Sequence, residues 1–187
     1  EQIGLIIKKL KESGMDRNTI VILSSDQGLA VGSHGLMGKQ NQYDHSIRVP
    51  LLISGPGIPK GKSIDEDVYL QDIMPTALEL AAAPIPSFVE FHSLLPLLNG
   101  RSSYLTGGVM GAYIKYQRMI RKDGYKLIVY PNVHKRLLYD MRNDPQELHD
   151  LSDNPAYQAT VDKLFKELLH LQQQYKDDLD LSAITWN

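Results

Sequence analysis

The chain has 187 residues, enough for one or two domains. Its 20 Lys and Arg against 22 Asp and Glu give a formal net charge of −2, which excludes the basic stripe of a nucleic-acid-binding domain, and 42% hydrophobic residues is ordinary globular composition. No apolar run approaches the ~18 residues that cross a bilayer, and the absence of cysteine removes disulfides, thiolate metal sites and a cysteine nucleophile from this chain.

Taken in chain order, Glu1-Gln2-Ile3-Gly4 has neither a Met nor a signal-like apolar core, and reads as the interior of a longer chain. Ile3, Ile6, Ile7 and Leu10 recur at helical spacing and predict an amphipathic helix over 2–13, stopped by Gly14. Thr19 to Leu23 is a short β-branched run without polar alternation, the pattern of a strand buried on both faces of a parallel sheet. A second such run, Val49 to Ser54, follows a glycine-bearing connection. Asp72 is an expected N-cap for a helix ending near Ala82 or Ala83, with Pro75 tolerated in its first turn. Helix, strand, long loop, strand, helix is the order of an open α/β sheet.

Beyond residue 100 the pattern changes. The runs 108–114, 117–121, 125–130 and 136–139 are strand-like and separated by turn signals such as Lys122-Asp123-Gly124 and Pro131-Asn132, which predicts a small antiparallel meander. Asn143-Asp144-Pro145 breaks the chain. A terminal amphipathic helix is expected over 155–176, with Tyr157, Val161, Leu164, Phe165, Leu168 and Leu171 on one side, and 177–187 reads as a loosely held tail.

The chemistry-bearing stretch is Ser24-Ser25-Asp26-Gln27-Gly28, Gly32-Ser33-His34-Gly35 and Gly38-Lys39, ending at Arg48-Val49-Pro50. Asp26 falls just beyond a predicted strand end, where ligands bind in open α/β sheets. A carboxylate followed by a side-chain amide offers two hard oxygens suited to Ca²⁺ or Mg²⁺. Lys39 brings a cation to an anion held on such a metal. Each piece alone also has a plain structural reading: Asp-Gln-Gly as a turn, Lys39 as a solvated lysine, His34 as a packed histidine, Arg48 as a hydrogen-bond donor.

In order, Ser-Asp-Gln-Gly, Gly-Ser-His-Gly-Leu-Met-Gly-Lys, Tyr43-Asp44, Arg48-Val49-Pro50-Leu51 and Gly55-Pro56-Gly57 resemble the C-terminal part of the type I, formylglycine-dependent sulfatases. The likeness continues through Leu70-Gln71-Asp72-Ile73-Met74-Pro75-Thr76, the segment 93–100, Asp123-Gly124-Tyr125-Lys126-Leu127-Ile128, Leu138-Tyr139-Asp140 and Asp144-Pro145-Gln146-Glu147. It covers residues 2 to about 170. The resemblance implies an α/β fold: the C-terminal part of an alkaline-phosphatase-like sulfatase domain over 1–100, then a small antiparallel sheet with a terminal helix over 101–187.

By motif position it implies that Asp26 binds the metal, with Gln27 in the adjacent ligand position and Ca²⁺ favoured over Mg²⁺. It further implies that Lys39 contacts the sulfate and acts catalytically, and that His34 lines the substrate pocket. The family's Cys/Ser-x-Pro-x-Arg nucleophile motif is absent here, since Ser87-Phe88-Val89-Glu90 and Ser102-Ser103-Tyr104 lack its Pro and Arg. The formylglycine is therefore expected in an N-terminal part of the same enzyme, and this chain alone is expected to be inactive. The implied reaction is hydrolysis of a sulfate ester of a small molecule or glycan, without nucleic-acid partner or membrane span, in an exported enzyme, periplasmic or secreted. Two other readings stand beside it: a metal-dependent phosphoesterase of the same superfamily, distinguished by its nucleophile motif, and a non-catalytic carbohydrate-binding or structural module in which Tyr104, Tyr113, Tyr116, Tyr125 and Tyr130 stack on sugars.

Overall fold

The computed structural model describes residues 1–101 and 107–186. They fall into two compact units, each discontinuous in sequence. The first comprises Glu1–Asp26, Val49–Glu66 and the described part of Leu70–Tyr104; the second comprises Gln27–Arg48, Asp67–Tyr69 and the described part of Leu105–Asn187.

In the first unit the predicted helix forms as α1 (Gln2–Glu12), and the chain leaves it through Gly14 in the left-handed conformation. Its apolar stripe, including Ile3, Leu5 and Ile6, is exposed within this unit. The two apolar runs become β1 (Val21–Leu23) and β2 (Leu52–Ser54), but they do not form a parallel sheet. They pair antiparallel, with Leu23 opposite Leu52, because the segment between them leaves and returns at the same end. Their side chains are at most half-buried, and an apolar run of this length does not by itself report strand direction.

Helix α3 (Ile73–Leu80) follows a 3-10 turn over Leu70–Asp72. Asp72 stands at the N-cap position, yet its side chain makes no capping bond. It is buried, and its Oδ1 accepts the His92 N–H at 3.3 Å. The expected cap is thus replaced by a tertiary contact. Thr76 Oγ1, also buried, donates to Asp72 O at 2.6 Å and accepts the Leu94 N–H at 2.8 Å, tying α3 to the start of α4 (Leu95–Leu98). Buried polar groups are held this way because an unsatisfied one costs about 1–3 kcal/mol.

The second unit is built on the predicted meander: β3 (Val109–Tyr113), β4 (Gln117–Lys122), β5 (Tyr125–Tyr130) and β6 (Lys135–Asp140), antiparallel in the order β3-β4-β5-β6. Asp123 and Gly124 join β4 to β5 with φ of 56° and 82°, the left-handed pair that a two-residue hairpin with native twist requires. Side chains alternate between two faces. Ile120, Leu127, Val129 and Leu138 point to one face and pack on Val161, Leu164, Leu168 and Leu171 of α5 (Gln158–Gln174). Each such burial contributes about 1.5–3 kcal/mol.

Met119, Ile128 and Tyr139 point the other way and pack with Tyr43, Met141 and partly buried Leu36 and Ile47. The segment 27–48, which includes the short helix α2 (Asp44–Ile47), therefore covers the second face of the sheet.

Residues 177–186 are not a loose tail. Asp177 takes a bidentate pair from Arg118, at 2.6 and 2.7 Å, and Leu181 is buried in the core beneath α5. Trp186 meets the Phe165 ring edge-on at 5.3 Å, with the Arg136 guanidinium 5.7 Å over it. The polar sequence Asp177-Asp178 hides this, since the anchoring residues are single apolar side chains spaced along the segment. Among the described residues no helix is long and apolar enough to cross a membrane.

Candidate active site

The segment that carries the predicted site residues starts at the end of β1. Ser24 Oγ donates to Pro50 O at 2.9 Å, and Ser25 Oγ reaches Asp26 Oδ1 at 3.5 Å. Asp26 is exposed. Gln27 is its neighbour along the chain and opens the second unit. Gly28 is sterically required: its N–H donates to Ser46 O at 2.9 Å, and a Cβ there would collide with the His45 carbonyl.

From Ala30 the chain makes a narrow excursion, closed by Ala30 N–H to Gly38 O at 2.7 Å and Gly32 N–H to Leu36 O at 3.0 Å. His34 sits at its turn with φ 55°, uncommon for a non-glycine residue. Its ring stacks on Tyr43 (centroids 4.0 Å, planes 13° apart), and Nε2 donates to Glu147 O at 2.9 Å. Lys39 follows the excursion. It is exposed, and its ammonium forms no ion pair among the described residues. Asn41 then turns the chain inward, its buried side chain accepting the Tyr43 N–H at 3.1 Å. Within the second unit the structure thus sets Lys39 directly after the excursion that carries His34; Asp26 belongs to the first unit.

Beneath this loop lies an ion cluster that the motif reading did not single out. Lys126, on the loop-facing side of β5, is fully buried. Its ammonium contacts Asp44 Oδ1, lies 2.7 Å from Glu147 Oε1 and donates to Gln42 O at 3.3 Å. Glu147 Oε2 accepts the Asp44 N–H at 2.7 Å. Arg121, directly opposite Lys126 across the β4–β5 ladder, donates to Asp44 Oδ2 at 2.8 Å and to Asp67 at 3.0 Å.

Two cations facing each other across a ladder repel, and the Asp44 carboxylate resolves this by bridging them. Arg48 adds a looser contact to Asp44 at 3.8 Å, consistent with a structural donor. Burial works to raise the Asp44 pKa, but Lys126 and Arg121 beside it hold it below the ordinary aspartate range. For Glu147 burial prevails over the pull of Lys126 and pushes the pKa up. Burial, with His34 and Lys126 nearby, lowers the His45 pKa.

The sequence did contain a signal for this cluster: strand alternation puts Lys126 on one face with Ile128 and Tyr130, an inward position for a charge. Among the described residues no group of three or more His, Cys, Asp or Glu side chains is placed to hold a metal. Tyr125 packs against Tyr157 and Tyr130 against the second core, each half-buried. Tyr113 and Tyr116 pair at 6.2 Å, and Tyr104 lies outside the described residues.

Residues 32–174 match the protein family described as N-sulphoglucosamine sulphohydrolase, C-terminal. An N-acetylglucosamine-6-O-sulfatase of Bacteroides thetaiotaomicron is 30% identical over 191 residues, taking in 95% of this chain and 34% of that protein. A solved structure described as in complex with its substrate D-glucosamine-2-N,6-O-disulfate shares 30% identity at a TM-score of 0.84, over 96% of this chain and 39% of that one. A phosphonate monoester hydrolase of Agrobacterium radiobacter shares 25% identity at a TM-score of 0.80, over 93% of this chain and 39% of that one. The chain spans about a third of the length of the curated relative and about two-fifths of these solved chains.

Proposed function

The chain belongs to the N-sulphoglucosamine sulphohydrolase C-terminal family, and from that premise we propose that it is the C-terminal part of a sulfuric ester hydrolase acting on a sulfated glycan. The observation that carries this is the likeness along 96% of the chain to a structure described as holding a disulfated glucosamine substrate. In covalent order, residues 1–100 end the catalytic domain and 101–187 form its C-terminal subdomain. An N-terminal part of the same enzyme is the partner that supplies the formylglycine nucleophile. Export to the periplasm or medium is proposed by the same likeness.

Asp26 and Gln27 are proposed as metal ligands. The Asp26 carboxylate is exposed, contacted at 3.5 Å by Ser25 Oγ, and makes no ion pair among the described residues, so ligation there breaks none of those. A carboxylate and an amide oxygen suit Ca²⁺, with Mg²⁺ less favoured; two donors are fewer than the roughly six to eight of a calcium shell, so other residues complete it. A divalent cation held there supplies charge neutralisation and Lewis acidity at the ester. Lys39 binds the sulfuryl oxygens through its exposed ammonium and stabilises the charge that grows on them, an effect of about 2.7–4 kcal/mol for one preorganised group. His34, with Nε2 engaged by Glu147, offers the pocket its Nδ1 and ring edge.

The test is hydrolysis by the full-length enzyme, with inorganic sulfate measured from sulfated glucosamines and phosphonate from a phosphonate monoester. Sulfate release far above phosphonate release is expected. The reverse ratio would establish the second reading, a phosphonate or phosphate esterase, which the Agrobacterium radiobacter relative favours. Calcium is expected to raise the melting temperature of the wild type and not of Asp26→Ala; an equal rise in both removes Asp26 from the metal.

A further inference from the structure

One residue touches the Lys39 loop on both sides of Lys39. The Glu147 carbonyl accepts from His34 Nε2 at 2.9 Å, and its carboxylate accepts the Asp44 N–H at 2.7 Å. His34 and Asp44 each stand five residues from Lys39, on opposite sides of it. Glu147 does this from a left-handed backbone, φ 57°, at the end of a turn closed by its N–H to Asp144 O at 3.0 Å. That conformation is unusual for a glutamate, and here it accompanies a carbonyl and a carboxylate that both meet the same loop. Lys126 matches the carboxylate charge at 2.7 Å and reaches the loop again at Gln42 O. Among the described residues the Lys39 ammonium makes no ion pair, and the residue is exposed.

We infer that Glu147, charge-matched by Lys126, is a positioning residue for Lys39: it clasps the loop at His34 and Asp44 and so fixes where the exposed ammonium stands. The inference rests on the reading of Lys39 as the cation that binds sulfate. A buried ion cluster is a poor device for stability alone, because apolar groups of similar volume often serve as well or better. What directed hydrogen bonds add is orientation, and catalysis by a fixed charge depends on its position to within fractions of an ångström. Apolar contacts of Leu36 and Ile47 hold the loop down; Glu147 sets its register.

The test uses the full-length enzyme with 4-nitrophenyl sulfate and the variants Glu147→Gln and Glu147→Ala, each alone and combined with Lys39→Ala. Gln keeps an acceptor for the Asp44 N–H but not the charge facing Lys126, so it is the milder change and carries the test if the Ala variant does not fold. The expected result is a fall in kcat/KM of roughly fivefold for Gln and thirtyfold for Ala. In the Lys39→Ala background the same changes should move the residual rate by less than twofold. Hydrogen exchange of amides 30–42 should accelerate about tenfold in Glu147→Ala while β4 and β5 stay protected. A full loss of rate in the Lys39→Ala background, or unchanged exchange in 30–42, overturns the positioning role. Failure of the underlying reading is separately visible: Lys39→Ala alone would then turn over at the wild-type rate, and the role of Glu147 would fall with it.

Discussion

Two lysines of the second unit mark two regions with opposite physics. Lys126 lies under the loop, fully buried, with carboxylates of Asp44 and Glu147 around it. Lys39, in the same loop, is exposed and without an ion pair among the described residues. The first is engaged by its neighbours and has little to offer a ligand; the second, among the described residues, makes hydrogen bonds through its backbone and no ion pair through its ammonium. The contrast teaches that charge committed to structure, at Lys126, and charge left available, at Lys39, occur within one unit. The glycine-rich loop is tied to the sheet by these ions and by the Tyr43 packing.

The sharpest way to break this contrast is to disarm the buried lysine. Lys126→Met keeps the volume and removes the charge, leaving Asp44 to Arg121 and Glu147 with an uncompensated carboxylate. Stripping one partner from a buried ion group destabilises by about 3–5 kcal/mol, read as a lowered urea midpoint, and a loss under 1 kcal/mol would show that the cluster is hydrated in solution. Lys39→Ala should do the opposite: no measurable change in the urea midpoint, but a fall in kcat/KM of the full-length enzyme of about a hundredfold, equivalent to about 2.7 kcal/mol of transition-state stabilisation. Unchanged turnover would return Lys39 to the status of a solvated surface residue.

A smaller effect tests the packing between loop and sheet. Gly111 of β3 lies so close to Gln42 Oε1 and Met119 Cε that a Cβ there would overlap both. Gly111→Ala should therefore cost about 1–3 kcal/mol, the usual range for overpacking, and should disturb the loop side of the sheet while α5 keeps its protection from exchange. Equal loosening of both faces would mean that the two cores are not separable.

How much of this was legible beforehand follows from what kind of pattern each part leaves. The meander was legible because short strand-like runs are separated by turn signals such as Asp-Gly and Pro-Asn. Helix α5 was legible because its apolar residues repeat at helical spacing. The antiparallel pairing of β1 with β2 was not, since three apolar residues in a row specify neither partner nor direction. Asp72 reads as a cap because capping depends on local identity, whereas its actual bond to His92 is twenty residues away. At the proposed site, Asp26, Gln27, His34 and Lys39 were singled out by motif position alone, and the structure places His34 and Lys39 in the second unit and Asp26 in the first. The residues that hold the loop could not be assigned, because Asp44, Lys126 and Glu147 meet only after the sheet has formed.

The end of the chain offers the gentlest test of the same distinction between used and available charge. Asp177 is taken up by Arg118 in a bidentate pair and by Gln172 at 2.8 Å. The hydrogen bonds from Arg118 come first among the causes that hold its carboxyl below the usual aspartate range, against the upward pull of burial. A carboxyl with a depressed folded pKa adds stability that is fully present above its unfolded value, about 3.9, and that is lost as the pH falls through the folded value. Asp44 acts in the same sense, while Glu147, whose pKa is raised, acts in the opposite one: its contribution is present at low pH and is lost as the pH rises through its folded value. Asp177→Asn should then lower stability by about 1–2 kcal/mol at pH 7 and by progressively less below pH ~4, where the wild type loses the same contribution. The measurement is the urea midpoint between pH 2.5 and 7 for both proteins. Parallel curves, with a constant gap down to the lowest pH, would mean that the Arg118 pair does not persist in solution and that residues 177–186 are held by Leu181 and Trp186 alone.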